Sequence, residues 1–168
     1  MKIVIHKNTH YPYLIPLGLP IYVKKNTSTF RIANFMFSSS CLFDLHNEDE
    51  HDVNKLFGFS IGHHHKGTSF RFGWRPIINN NTIEIVAYEY HDGIRQRTIS
   101  IREVGINEWH EYMISYNPIK NRCYYFIDKK TFYIPLDLKK KHGLGYTLGI
   151  YFGGNEKAPQ KITIFKKK

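Results

Sequence analysis

Apolar and polar residues alternate along most of the chain, in short runs that are separated by Gly, Asn, Asp and Pro. A period of two is typical of strands with one buried and one solvated face. Many short strands between turn signals indicate an antiparallel β-sandwich or barrel. The predicted strands are 2–5, 28–37, 41–45, 56–62, 68–75, 82–90, 94–103, 110–117, 122–128, 131–135, 145–152 and 160–166.

Two hairpins are predicted from turn residues. The strand 82–90 leads into 94–103 through His-Asp-Gly at 91–93, where Asp and Gly supply the conformations of a tight turn. The strand 112–116 leads into 122–128 through a five-residue turn that contains Asn and Pro. Both hairpins pair neighbouring strands of one sheet.

Helix signals are few. The segment 47–57 predicts one short helix, with Asn47 as its cap and acidic residues in its first turn. Residues 136–142 predict a single turn that ends at Gly143. Three prolines in the segment 11–20 predict an extended connection along a sheet edge. No linker or repeat divides the chain, so we expect one domain over residues 1–168.

The alternation assigns side chains to the two faces of a strand. Along 82–90, one face is apolar and suited to the core, whereas the other is polar and aromatic. The core face comprises Ile83, Ile85 and Ala87, and the opposite face comprises Glu84, Val86, Tyr88 and Tyr90.

The neighbouring strands add Arg71 and Arg75 to this polar face, and the run after strand 56–62 adds His64. Gly62 and Gly73 lie on the same face, and a glycine inside a strand often marks the close approach of another group. Either this face is simply solvated, or it binds a ligand. The candidate ligand-binding residues are Glu84, Tyr88, Tyr90, Arg71, Arg75 and His64.

The segment 109–118, followed by Tyr-Phe-Ile-Asp at 125–128, resembles the paired strands of the concanavalin A-like lectin/glucanase superfamily. Tyr116 stands where that pattern usually has tryptophan, and Lys129 stands where it has a turn glycine. Residues 148–154 and 162–164 also resemble the late strands of such sandwiches. The resemblance covers roughly residues 56–166 and implies an all-β, antiparallel jelly-roll β-sandwich. It does not imply one activity, because this fold carries many functions.

Retaining glucanases of that group carry Glu-x-Asp-x-Glu on one strand, which places the catalytic carboxylates on one face. The matching positions here are Glu84, Val86 and Tyr88, so only the first acid is present. Glu89 would share a face with Glu84 only if a β-bulge intervened. The sequence therefore favours a non-catalytic module. An elimination reaction on an acidic polysaccharide, using residues of the same polar face such as His64 and Arg71, is a further alternative.

Metal ligands and cofactors are not indicated. Three consecutive histidines at 63–65 cannot all face one ion from a regular strand, even with His46 and His51 nearby. The acidic segment 48–52 lacks the spacing of a calcium loop. We predict no cofactor, and Ca²⁺ is unsupported. Cys41 and Cys123 are predicted to be buried core thiols.

The chain has 24 Lys and Arg against 14 Asp and Glu, a net charge of +10. No nucleic-acid-reading motif accompanies this charge, so no specific nucleic-acid partner is expected. Lysines at 166–168 are predicted to form a basic tail. The N-terminus does not read as a signal peptide and no apolar run spans a membrane, so we expect a cytoplasmic or particle-associated protein without membrane insertion.

These observations predict a carbohydrate-binding or adhesive module for which an anionic glycan or cell surface is the favoured partner. The alternative is a structural protein, for example a virus-particle component, that uses the same face for protein contacts. The sequence does not decide the oligomeric state.

Overall fold

The computed structural model describes residues 1–12, 18–45, 52–62 and 65–167. Within these ranges the chain forms thirteen strands, numbered β1 to β13 in chain order. It also forms two single-turn 3-10 helices, Ser39–Cys41 and Ile78–Asn80. No described helix is long and apolar enough to span a membrane. The strands build two antiparallel sheets, which confirms the predicted all-β sandwich.

One sheet has six strands, and the first and last strands pair within it. Its spatial order is β1 (Lys2–Ile5), β13 (Ile162–Lys166), β3 (Thr29–Phe37), β9 (His110–Asn117), β10 (Arg122–Ile127) and β11 (Lys130–Pro135). The predicted basic tail is wrong for Lys166, which lies in β13. It is also wrong for Lys167, whose Nζ lies 5.0 Å from the ring centre of Trp109.

The other sheet has seven strands and carries the candidate polar face. Its order is β2 (Pro20–Val23), β12 (Gly143–Leu148), β4 (Asn54–Ile61), β5 (Thr68–Ile77), β6 (Thr82–His91) and β7 (Ile94–Arg95), with β8 (Ile99–Gly105) also paired to β6. The turn between β6 and β7 is the predicted one. Asp92 and Gly93 both take positive φ, 48° and 89°, as a type I′ hairpin turn requires.

Aromatic side chains from both sheets fill the space between them. Phe72 of β5 meets Tyr112 and Tyr125 of the other sheet, with ring centres 5.4 and 5.0 Å apart. Phe70 stacks on Tyr116 at 5.3 Å. All five side chains are fully buried. Burying one such side chain contributes about 1.5–3 kcal/mol, so these contacts hold the two sheets together.

A β-bulge interrupts β4 between Lys55 and Phe57. Simple alternation would place Lys55 on the buried face with Phe57. Because of the extra residue, Lys55 pairs with Gly73 while Gly58 pairs with Arg71. Lys55 therefore joins Arg71 on the outer face of the seven-stranded sheet.

Several predicted elements differ from the structure. The strand 41–45 is wrong, because Cys41 closes a 3-10 turn through its backbone N–H to Ser38. The strand 94–103 divides into β7 and β8 where the side chain of Arg95 bonds to Thr98. The short strand β2 was not predicted, because Pro20 at its start is typical of a connecting segment.

The predicted helix 47–57 is wrong where the structure describes it, because residues 54–57 belong to β4. Residues 47–51 of that segment lie outside the described ranges. The segment 136–142, predicted as a single turn, has no regular secondary structure. Lys129 replaces the turn glycine without strain, since Asp128 takes the positive φ of 55° there and Lys129 does not. Cys41 and Cys123 are free and buried, as predicted.

Glu89 forms a buried polar contact between the two sheets. It faces the interior, because the β5–β6 register runs without a bulge from Thr82 to Tyr90, and it is 2% exposed. Tyr125 Oη donates to Glu89 Oε1 at 2.6 Å, and His91 Nε2 lies 2.5 Å from Oε2. Burial, together with Cys123 and Glu89, raises the pKa of Tyr125, so its phenol stays protonated and donates this bond.

The Tyr125→Phe variant should lower the free energy of unfolding by about 1–3 kcal/mol, because it removes one donor from a buried carboxylate. Urea denaturation followed by tryptophan fluorescence measures this change. The neighbouring Tyr124→Phe variant is the control, since Tyr124 lies on the opposite face of β10 and its loss should change stability by less than about 0.5 kcal/mol. Equal effects of the two variants would contradict the role of the Tyr125–Glu89 bond.

Candidate functional site

A groove of about 830 Å³ lies on the outer face of the seven-stranded sheet. Its floor is formed by outward residues of β4, β5 and β6, which the strand register sets in rows. Gly58, Arg71 and Tyr88 are directly opposite one another across the three strands. Ser60 and Tyr90 lie in the next row, both opposite Ser69.

The segment 149–155 forms one wall of the groove. The predicted strand 145–152 ends at Leu148, and beyond it Tyr151 pairs with Lys55 through two backbone hydrogen bonds of 2.8 and 3.0 Å. The backbone N–H of Gly153 donates to Asn54 Oδ1 at 2.6 Å. These bonds hold the wall against β4.

Arg71 lies beneath this wall and is 7% exposed. Its Nη2 donates to the carbonyl of Gly149 at 2.5 Å, whereas its Nε is buried without a hydrogen-bond partner. Burial lowers the pKa of Arg71 to about 10, although the phenols of Tyr88, Tyr11 and Tyr151 oppose the shift. The guanidinium is thus charged at neutral pH. The outer-face prediction for Arg71 holds, but the side chain is covered rather than solvated.

Lys55 is the second buried cation of the groove and is also 7% exposed. Its Nζ donates to the carbonyl of Gly153 at 2.6 Å and lies 4.8 Å from the ring centre of Tyr88. Burial and the charge of Arg71 lower the pKa of Lys55 to about 8, against a smaller opposing effect of Asp52. No carboxylate of the described residues forms an ion pair with Lys55 or Arg71.

Tyrosines surround these cations. The guanidinium of Arg95 stacks 3.7 Å from the ring centre of Tyr88, so this ring holds a cation. Burial and the neighbouring Tyr88 raise the pKa of Tyr90. Burial likewise raises the pKa of Tyr151, which meets Tyr11 edge-on at 4.8 Å. The phenols of Tyr90 and Tyr151 are therefore neutral hydrogen-bond donors at physiological pH.

The structure brings together three of the candidate residues, Arg71, Tyr88 and Tyr90. Arg75 and Glu84 lie outside the groove, further along the same face, where Arg75 Nε bonds to Glu84 Oε2. Burial opposes the ionisation of Glu84, but hydrogen bonds from Arg75 and Ser100 outweigh it and lower its pKa. His64 lies outside the described residues.

On β5, Gly73 lies between Arg71, which is in the groove, and Arg75, which is outside it. A Cβ atom at Gly73 would lie 2.3 Å from Val53 Cγ1 and 2.9 Å from Val86 Cγ2. The close approach expected at Gly73 is therefore made by these two valines and not by a ligand. At Gly62 a Cβ would meet nothing within 4 Å, so the outer face is open there.

Sequence reasoning missed Lys55 and Arg95. Simple alternation puts Lys55 on the same, inward side as Phe57 and Phe59, and only the β-bulge brings it to the outer face. Arg95 falls in the predicted strand 94–103, and the sequence pattern did not show which side of that strand faces outward. Among the described residues no group of three or more His, Cys, Asp or Glu side chains could hold a metal ion. The histidines 46, 51 and 63 and the acids 48–50 lie outside the described ranges.

No family model matches the chain, and no curated protein matches it by sequence. Among solved structures, the chain is similar to an alginate lyase from Alteromonas sp. 272, with a TM-score of 0.51 and 9% identity over 99% of this chain and 87% of that one. Chicken galectin 2 gives a TM-score of 0.45 and 10% identity, over 88% of this chain and 97% of that one. The basic winged bean lectin with Tn-antigen gives a TM-score of 0.47 and 11% identity, over 99% and 96%.

The likeness to the lyase, together with the two antiparallel sheets, shows that this chain has a concanavalin A-like jelly-roll fold. The resemblance found in residues 109–118 and 125–128 is thereby confirmed at the level of the fold. At such low identity the comparison shows the fold alone.

The stability of the protein should depend on pH through Lys55. Its pKa is lower in the folded state, so from pH about 8 to 10.5 the unfolded chain binds the proton that the folded chain has lost, and stability rises with pH. The Lys55→Met variant lacks this contribution. The difference in unfolding free energy, wild type minus Lys55→Met, should therefore rise across this range by on the order of 1–3 kcal/mol.

Urea denaturation at several pH values measures this difference. The matched control is Lys120→Met, because Lys120 is exposed in the turn between β9 and β10. A difference for Lys55→Met that stays flat with pH would show that this amine is not buried in the folded protein.

Proposed function

We propose that this protein is a carbohydrate-binding module whose groove takes a segment of an anionic polysaccharide. The observation that carries the proposal is the pair of buried cations, Lys55 and Arg71, with no carboxylate partner among the described residues. A buried charge without a counter-ion is unfavourable. A carboxylate or sulfate of a bound sugar would supply that counter-ion and accept a bond from the free Nε of Arg71.

The aromatic walls suit the apolar faces of sugar rings. Tyr90, Tyr146 and Tyr151 line the groove together with the polar Ser60 and Asn155. Aromatic faces pack against C–H surfaces, while hydroxyl and amide groups bond to sugar hydroxyls. The volume of about 830 Å³ lies within the range of small-ligand sites.

An elimination reaction on a polyuronate is the second candidate, and Lys55 is the observation that favours it. An amine with a pKa of about 8 is neutral often enough at physiological pH to accept a proton. In such a reaction the base takes the proton next to the sugar carboxylate, the C–O bond to the glycosidic oxygen breaks, and a carbon–carbon double bond forms. The leaving oxygen would take its proton from a neutral phenol of the groove, that of Tyr90 or Tyr151. The name of the similar alginate lyase makes alginate the polyuronate to test first.

The Arg71→Met variant should bind alginate or heparin roughly tenfold or more weakly than the wild type, because it removes a buried cation from the groove. Isothermal titration calorimetry with alginate, heparin and neutral dextran measures the affinities. Thermal unfolding of the same samples establishes that Arg71→Met is folded.

The matched control is Arg75→Met, which removes the same charge from the same face of β5 outside the groove. Equal losses for the two variants would contradict a groove site and indicate general charge attraction. Equal binding of dextran would contradict an anionic ligand. Formation of unsaturated uronate, followed by its ultraviolet absorbance, would support the elimination reaction over simple binding.

Affinity for the anionic polymer should also fall as the pH rises through about 8, where Lys55 loses its charge in the free protein. Titrations on both sides of that pH measure the effect at constant ionic strength. The Lys55→Met variant should bind weakly at both pH values and show no such change. The same fall in Lys55→Met would assign the pH dependence to another group.

A further inference from the structure

The outer face of the six-stranded sheet is unusually apolar. Phe30 of β3 lies opposite Ser115, which is opposite Tyr124 of β10, and Tyr124 is opposite Tyr133 of β11. Phe30 is 61% exposed and Tyr133 is 49% exposed. Directly opposed residues share a face, so this row runs across four strands on the side away from the core.

The neighbouring row has the same character. Ile32, Met113, Phe126 and Thr131 are opposed across the same four strands, and Ile32 is 51% exposed. We name the outward residues of β3, β9, β10 and β11 the back face. Contiguous exposed apolar surface of this kind marks an interaction site more often than free solvent surface.

The back face is electrically neutral in a chain of net charge +10. The outward positions of its four strands carry two charged residues, Glu111 and Arg122. Glu111 lies at the start of β9, whereas Arg122 is opposite Asn117 at the other end of that strand. The two charges therefore lie at opposite ends of the face.

We infer that the back face binds a second copy of this chain in a symmetric pair. In this pair the two-fold axis lies in the interface, perpendicular to the strands, so that each strand of one copy runs antiparallel to the same strand of the other. The axis places Glu111 of one copy over Arg122 of the other, and the same contact forms twice. Elsewhere two copies of so basic a chain repel each other, whereas here opposite charges meet around an apolar centre.

The size of the back face fits such a pair. Four strands of six to nine residues, at about 4.8 Å spacing and about 3.3 Å rise, give a surface of roughly 20 by 25 Å. Two such faces bury on the order of 1,000 Å² in projection, which is the size of a weak, concentration-dependent interface. The inference does not depend on the proposed function, because the groove lies on the other sheet.

Sedimentation velocity of the full chain over a wide concentration range tests the pair. The wild type should reach twice the monomer mass of 19.9 kDa, and Ile32→Glu should weaken the association roughly tenfold or more. Leu144→Glu is the control, because Leu144 is also exposed but lies in β12 of the other sheet, and it should leave the association unchanged.

Charge reversal gives a second measurement that leaves the apolar residues of the back face in place. Glu111→Arg alone and Arg122→Glu alone should each weaken the pair, and the double variant should restore it. A wild type that stays monomeric at every concentration would overturn the inference and leave the back face to a different partner. A dimer that dissociates in Leu144→Glu but persists in Ile32→Glu would overturn it as well.

Discussion

The burial of three alternate residues of β5 determines the geometry of the rest of the molecule. Phe70, Phe72 and Trp74 are fully buried and pack against the aromatic side chains of the opposite sheet. Strand alternation then forces Arg71 and Gly73 to the outer face. The position of Arg71 is thus a consequence of the core. A one-residue shift of this strand would expose three aromatic side chains and bury two arginines.

The same alternation explains which parts of the fold could be predicted. Strands such as 68–75 and 82–90 carry a clear period of two, and their buried and outer residues follow from it. The position of Lys55 could not be predicted, because a bulge reverses the parity of β4 at one residue. β2 was also beyond prediction, because Pro20 and three further residues carry too little pattern and the pairing with β12 is distant in sequence.

In the candidate site, only the residues whose orientation follows from strand alternation could be predicted. Strand alternation correctly placed Arg71, Tyr88 and Tyr90 on the outer face. It could not show that the side chains of Val53 and Val86 cover Gly73 and so separate these residues from Arg75. The wall 149–155 has no regular period. Backbone hydrogen bonds to Lys55 of β4 and a hydrogen bond from the side chain of Arg71 of β5 fix its place. Because that wall covers Arg71 and Lys55, it turns a solvated sheet face into a groove with buried cations.

The two outer faces of the sandwich differ in charge in a way that follows from this arrangement. The groove concentrates Lys55, Arg71 and the nearby Arg95 on the seven-stranded sheet, whereas the back face is neutral. If two copies meet through their back faces, the two grooves point away from each other. One long anionic polymer that reached both grooves would then gain effective concentration at the second site. A weak groove could in this way hold a polymer firmly while releasing a short fragment.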